Sequence, residues 1–258
     1  MSAEKLPLYG EKPKLGRLQI AAVVLGLLTV SFGITAAFII LPYLTDLYAL
    51  RSERDNLLES NFLAEAPEEL PQTQEQPSGF YVSAFDAAMS EINPDYLCWI
   101  KIEDTKIDYP VVRANDNEKY LNTSFSLEEN RFGALFMDYR CMGAYVPHII
   151  IYGHNTAQGD MFGDLDKYTN DDFLREHPVI TLKVQGRITE YEVFAARKTD
   201  VTDKAYNLDF AQNGAFEAFA QNCGAPDSTV QIITLSTCAG PRIDDKRVVV
   251  QAALCKAE

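Results

Sequence analysis

One stretch limits what this chain can become: from Leu18 to Thr45 there is not a single charged side chain. That run exceeds the ~20 apolar residues that cross a hydrocarbon core. A cleavable signal peptide has an apolar region of ~7–15 residues followed by small residues at the cut. Here the run continues past Ala36 and Ala37 through Phe38, Ile39, Ile40 and Leu41 to Leu44, which predicts an uncleaved transmembrane anchor over 18–45. Lys5, Lys12, Lys14 and Arg17 flank its N-terminal end, and positive flanks stay on the cytoplasmic side. Residues 1–17 are then a cytoplasmic tail, and the rest of the chain lies outside the cell.

Beyond the anchor, Asp46 to Leu63 sets Leu47, Leu50, Leu57 and Leu58 among charges, a pattern for a short helical stalk too brief to be a coiled coil. Ala64 to Gly79 is rich in Pro, Glu and Gln and nearly without apolar residues, the composition of an unfolded linker. Residues 46–79 are therefore expected to be an extracellular stalk and linker, and 80–258 the folded domain. The formal net charge is -14, which speaks against a nucleic acid as partner, since phosphate backbones require a basic patch.

Within the domain, Phe80 to Ile92 carries apolar residues at helical spacing. Eight β-like runs follow, at 97–102, 106–112, 132–137, 147–152, 179–185, 188–196, 230–237 and 246–254. Asn207 to Asn222 interrupts them with a helical pattern around Leu208, Phe210, Phe216 and Phe219. Many short strands in one domain predict a barrel or a sandwich with accessory helices.

The last two runs, Gln231 to Cys238 and Lys246 to Ala253, flank a turn-rich segment and read as an antiparallel hairpin. That places Cys238 at the exit of one strand and Arg247 at the entrance of the next, a nucleophile candidate beside a fixed positive charge. Arg242 competes for that charge role, but it sits in the turn after Pro241. The chain has 3 histidines. His154 stands at the mouth of an apolar strand after Tyr152 and Gly153, whereas His148 lies inside that strand and His177 in a loop before Pro178. A thiol near ~8.5 in pKa needs nearby positive charge to raise its thiolate fraction, an imidazole can give and take protons, and a guanidinium stays charged and presents forked donors. Ser236 shares a strand face with Cys238 by two-residue alternation, so its hydroxyl either bonds an incoming peptide or satisfies backbone groups. Ser236, Thr237 and, more distantly, Asn122 are the candidate substrate contacts.

These segments carry a resemblance. Thr234-Leu235-Ser236-Thr237-Cys238, followed nine residues later by Arg247-Val248-Val249-Val250-Gln251-Ala252, resembles the sortase signature and is similar to class B sortases. Asn93 to Ile100, Ile107 to Val112, Asp116 to Asn122, Phe136 to Arg140, Ile151 to Asn155 and Met161 to Leu165 extend the likeness in order over roughly residues 80 to 255. The resemblance implies a mostly β fold, an eight-stranded β-barrel with an N-terminal helix and an extra helix before the cysteine strand. It also implies a cysteine transpeptidase in which Cys238, His154 and Arg247 are catalytic. Its substrate would be a secreted protein with a C-terminal sorting motif, cleaved after a Thr through a thioester. The acceptor would be an amine of peptidoglycan in a Gram-positive envelope, or a pilin lysine. The turn from Ala239 to Lys246 departs from the family by its proline, which bears on the motif recognised rather than on the reaction.

Other chemistries lack their residues. There is no Gly-x-Ser-x-Gly and no His-Glu-x-x-His. Asp160, Asp164 and Asp166 lack the completing ligands of a calcium loop, so no metal or organic cofactor is expected. Cys98 and Cys255 read as small packing residues, and the pairing of Cys98, Cys141, Cys223 and Cys255 is left open. Two other functions remain: a cysteine peptidase that resolves the thioester with water, and an inactive scaffold that binds. The presence of Cys238, His154 and Arg247 together argues against the scaffold.

Overall fold

A computed structural model describes residues 16–64, 83–142, 146–237 and 246–255. The chain divides into two units at the boundary between Thr45 and Asp46. Helix α1, Arg17–Ala64, runs through that boundary.

In the first unit α1 exposes Leu25, Leu28, Phe32, Phe38, Ile39 and Leu41. Its most apolar window has a mean hydropathy of 2.4 and none of it is buried. The hydroxyls of Thr29, Thr35 and Thr45 donate to the carbonyls of Gly26, Ser31 and Leu41, so these polar groups are satisfied inside the helix, as a hydrocarbon environment demands. By length and composition this helix is able to cross a membrane.

The second unit is built on a closed barrel of eight strands: β1 Tyr96–Lys101, β2 Asp108–Val112, β3 Leu135–Met137, β4 His148–Gly153, β5 Val179–Val184, β6 Arg187–Asp200, β7 Thr229–Thr237 and β8 Lys246–Cys255. They close in the order β1-β2-β3-β4-β7-β8-β6-β5. Each of the eight expected runs is a strand, and β7 with β8 forms the expected antiparallel pair, Ser236 opposite Val249. Ile100, Val111, Ile150, Ile151, Ile180, Ile232, Ile233, Leu235 and Val249 are fully or almost fully buried, which is why these runs are β-branched.

Helix α2, Ala84–Ile92, is capped by Ser83, whose hydroxyl accepts from the Asp86 amide. Its Phe85 and Met89 pack with Trp99, Val112, Tyr120, Phe125 and Phe136. A short helix α3, Asp171–Glu176, precedes β5. Helix α4, Ala215–Cys223, is shorter than the expected 207–222. Before it, the Asn207 and Asp209 side chains accept the amides of Asp209 and Ala211. Side chains that bond locally compete with helix formation, and Gly214, at φ 78, marks where the helix begins.

The largest departure from expectation concerns residues 46–58. They are helical, as a stalk would be, yet they are packed rather than extended. Leu47, Leu50 and Leu57 are buried, and Leu57 belongs to the cluster around Phe85 and Trp99. The charges between them also have distant partners. Asp46 pairs with Arg131, Arg51 with Asp160, and the Glu53 carboxylate accepts from the Ser124 hydroxyl and the Ser126 amide. Packing thus starts at Asp46 instead of residue 80. The expected linker, 64–79, lies outside the described residues from residue 65 onward.

Candidate active site

Two strands far apart in sequence set the site. β4 and β7 are paired in parallel from His148 opposite Ile232 to Gly153 opposite Thr237. The next residue after Gly153 is His154, and the next after Thr237 is Cys238. Cys238 and the turn through Asp245 lie outside the described residues. On the other side of β7, Arg247 is the second residue of β8 and stands opposite Thr199 of β6. The Thr237 hydroxyl, buried, accepts the Val248 amide at 2.9 Å, so a side chain extends the β7–β8 ladder one step past its last paired residues.

His154 and Arg247 line one cleft of about 650 Å³, together with Asn117, Leu121, Asn122, Phe136 and Arg140. Tyr152, Val201 and Tyr206 complete its walls. The half-buried His154 ring bonds through Nε2 to the Leu121 carbonyl at 2.8 Å. A carbonyl can only accept, so Nε2 carries the proton and Nδ1 is the basic nitrogen. Burial lowers the His154 pKa, with the Leu121 carbonyl acting the other way, and the imidazole rests neutral at pH 7. Gly153 is required just ahead of it: a Cβ there would stand 2.3 Å from Leu135 Cδ2 and 2.7 Å from Phe162 Cδ2.

The remaining wall is a polar knot. The buried Asp138 carboxylate receives Arg140 Nε at 2.9 Å and Nη2 at 2.8 Å, the Tyr152 hydroxyl at 3.0 Å and Asn117 Nδ2 at 3.1 Å. Burial pushes the Asp138 carboxyl up, but these donors, chiefly Arg140, outweigh it and hold it below the usual range. The Tyr152 and Tyr206 rings stack with centroids 6.5 Å apart. The Tyr206 hydroxyl meets Ser236 Oγ at 2.8 Å. The expected substrate contacts are thus divided: Asn122 is exposed in the cleft, whereas Ser236 and Thr237 are buried with their hydroxyls engaged inside the protein. Sequence reasoning missed Tyr206, Tyr152 and Arg140, because nothing local marks a tyrosine or an arginine as facing a cleft.

The other candidates are placed elsewhere. His148 is fully buried, Nδ1 bonded to the Asn207 carbonyl and Nε2 to the Thr234 hydroxyl, both at 2.8 Å. His177 donates to the Glu103 carbonyl. Asp160 is paired with Arg51, Asp164 with Lys167, and Asp166 accepts from Asn155. Among the described residues no cluster of His, Cys, Asp or Glu could hold a metal ion. Cys98, Cys141, Cys223 and Cys255 form no disulfide. Burial pushes Cys98 up to about 12 and Cys141 up to about 11, which makes them unreactive.

The closed eight-stranded barrel is like that of solved sortase B structures, and residues 100–255 match the sortase domain family model. The chain belongs to the sortase family. Within it, the relatives are sortase B proteins. Sortase B of Listeria monocytogenes is 36% identical over 179 residues, covering 64% of this chain and 72% of that protein. The Staphylococcus aureus sortase B–substrate complex superposes with a TM-score of 0.68 at 25% identity, over 83% of this chain and 98% of that one. A structure of sortase B complexed with triglycine gives a TM-score of 0.68 at 26% identity, over 83% and 99%.

Proposed function

We propose that this chain is a membrane-anchored cysteine transpeptidase, with Cys238 as nucleophile, His154 as acid and base, and Arg247 as the oxyanion or carbonyl donor. The observation that carries this is the parallel pairing that ends at Gly153 and Thr237, whose successors in sequence are His154 and Cys238, with Arg247 lining the same cleft as His154.

In the first half-reaction the Cys238 thiol gives its proton to His154 Nδ1, and sulfur attacks the carbonyl carbon of the substrate threonine. The guanidinium of Arg247 faces the oxygen on which charge develops. The C–N bond breaks, the leaving amine takes the proton from the imidazolium, and a thioester remains. In the second, an incoming amine attacks the thioester, its proton passes to His154, and the sulfur leaves as the amide forms. A neutral resting imidazole suits this order. Tyr206, Tyr152 and Asn122, which are on the cleft wall, are better placed to touch the peptide than the buried Ser236 and Thr237.

A sorting-motif peptide as donor and an amine as acceptor are supported by the relatives crystallised with substrate and with triglycine. The acceptor in the cell would be a peptidoglycan amine or a pilin lysine. The apolar half of α1 supports a single membrane pass, and Lys5, Lys12, Lys14 and Arg17 ahead of it support a cytoplasmic N-terminus with the barrel outside.

The test uses the full chain in detergent with a library of quenched peptides of Asn-Pro-x-Thr-x type, with and without triglycine, read by mass spectrometry. An amide product, and a Cys238 acyl-enzyme when the amine is withheld, are the expected results. Hydrolysis alone with triglycine present would favour a peptidase. No acyl-enzyme on a reduced thiol would leave a binding scaffold.

A further inference from the structure

The loop that carries His154 is fastened to helix α1 from outside the cleft. After β4 the chain turns back on itself: Asn155 bridges Met161, and the Phe162 amide donates to the His154 carbonyl at 2.9 Å. The two ends of the 155–162 loop therefore meet at His154. Its corner is Asp160 and Met161. Met161 has φ 54, the left-handed region that a side chain enters only when its surroundings hold it there. Two chains of contacts from α1 do so. Arg51 donates to the Asp160 carboxylate through Nε at 3.2 and 3.3 Å and through Nη2 at 2.7 Å. Arg54 Nη1 lies 3.8 Å from Asp160 and donates to the Tyr109 hydroxyl at 3.3 Å, which accepts the Met161 amide at 3.2 Å. The Asp160 side chain is 1% exposed, so these partners take the place of water around its carboxylate. Asp160 is also braced within the loop, its carbonyl accepting the Thr156 hydroxyl and the Gly163 amide, both at 2.9 Å.

We infer that Arg51 is a positioning residue for His154: through the forked bond to Asp160 it holds the loop corner whose closure on the His154 carbonyl sets the imidazole in the cleft. This rests on the catalytic reading of His154. A one-ångström displacement of a reacting group costs up to about a hundredfold in rate, so a loosened corner is felt in turnover before it is felt in substrate affinity. Lysine at 51 would keep the charge and lose the fork.

The experiment compares full-length Arg51→Ala, Arg51→Lys and Asp160→Asn with the parent in detergent. Turnover is normalised to titrated Cys238 thiol and measured well below each variant's unfolding midpoint, with His154→Ala as control. Arg51→Ala is expected to lower kcat by about tenfold or more, to leave KM within about twofold, and to move the acid limb of the kcat–pH profile. Arg51→Lys should recover part of kcat. Should Arg51→Ala not fold, Arg51→Lys alone carries the test, with a reduced kcat and a displaced limb expected. Parental kcat and pH limb in folded Arg51→Ala, or parental values in Arg51→Lys when that variant stands alone, would overturn the inference while leaving His154 catalytic. Parental turnover in His154→Ala would instead remove the role of His154 itself.

Discussion

His148 and His154 are six residues apart and end up with different chemistry because of what surrounds each ring. His148 is sealed between β7 and the 207–219 segment, with the Phe219 ring 4.8 Å away. Burial is the main cause of its pKa falling from 6.5 to about 4, and the bond to the Asn207 carbonyl only partly opposes it. The unfolded chain therefore binds a proton that the folded one refuses between about pH 6.5 and 4. Stability from this group is complete above that window and is lost as pH falls through it, by roughly 3 kcal/mol. Urea unfolding at a series of pH values should show this acid slope, and His148→Gln should flatten it. His154, half-buried in the cleft, is the one whose loss should stop chemistry. Cys238→Ala should abolish product, His154→Ala should lower kcat about 10³-fold, and Arg247→Lys should lose about 10²-fold with the fork. Substantial amide formation by Cys238→Ala would sink the mechanism.

Among the elements, the 46–58 part of α1 has the least obvious energetics. Leu50 is 2% exposed, and Leu50→Ala should cost about 2–5 kcal/mol in urea unfolding of the full chain. A protein begun at residue 80 would lose all three buried leucines and both arginines that face the buried Asp160. With total stability usually about 5–15 kcal/mol, that piece should unfold at markedly lower urea than one begun at Asp46. Equal midpoints for the two would mean that α1 contributes nothing to the barrel. This helix reads as a stalk in the sequence for a definite reason. Its charges look solvated when only neighbours in sequence are considered, whereas Arg51 meets its partner 109 residues later.

For the whole molecule, the proposed anchoring by the apolar half of α1 predicts that membrane attachment and the barrel separate under deletion. A chain begun at Asp46 should leave the membrane fraction and unfold as one cooperative unit; recovery in the membrane pellet would place an additional anchoring surface on the barrel. The strands, the apolar helix and the reactive residue types were legible from the chain alone, because alternation, β-branching and uninterrupted apolarity act over a few neighbours and leave a local trace. The likeness to sortases then named the barrel and the three catalytic candidates. Neighbour order left no such trace. β4 and β7 are adjacent although 75 residues separate Gly153 from Thr229, and only that pairing ends the two strands together. Ser236 and Thr237 turned out to be engaged inward, and Tyr206, Tyr152 and Arg140 became the cleft wall, because burial and partner identity are set where distant segments meet. A residue's type limits the bonds it can make; the closed barrel selects which of those bonds exist.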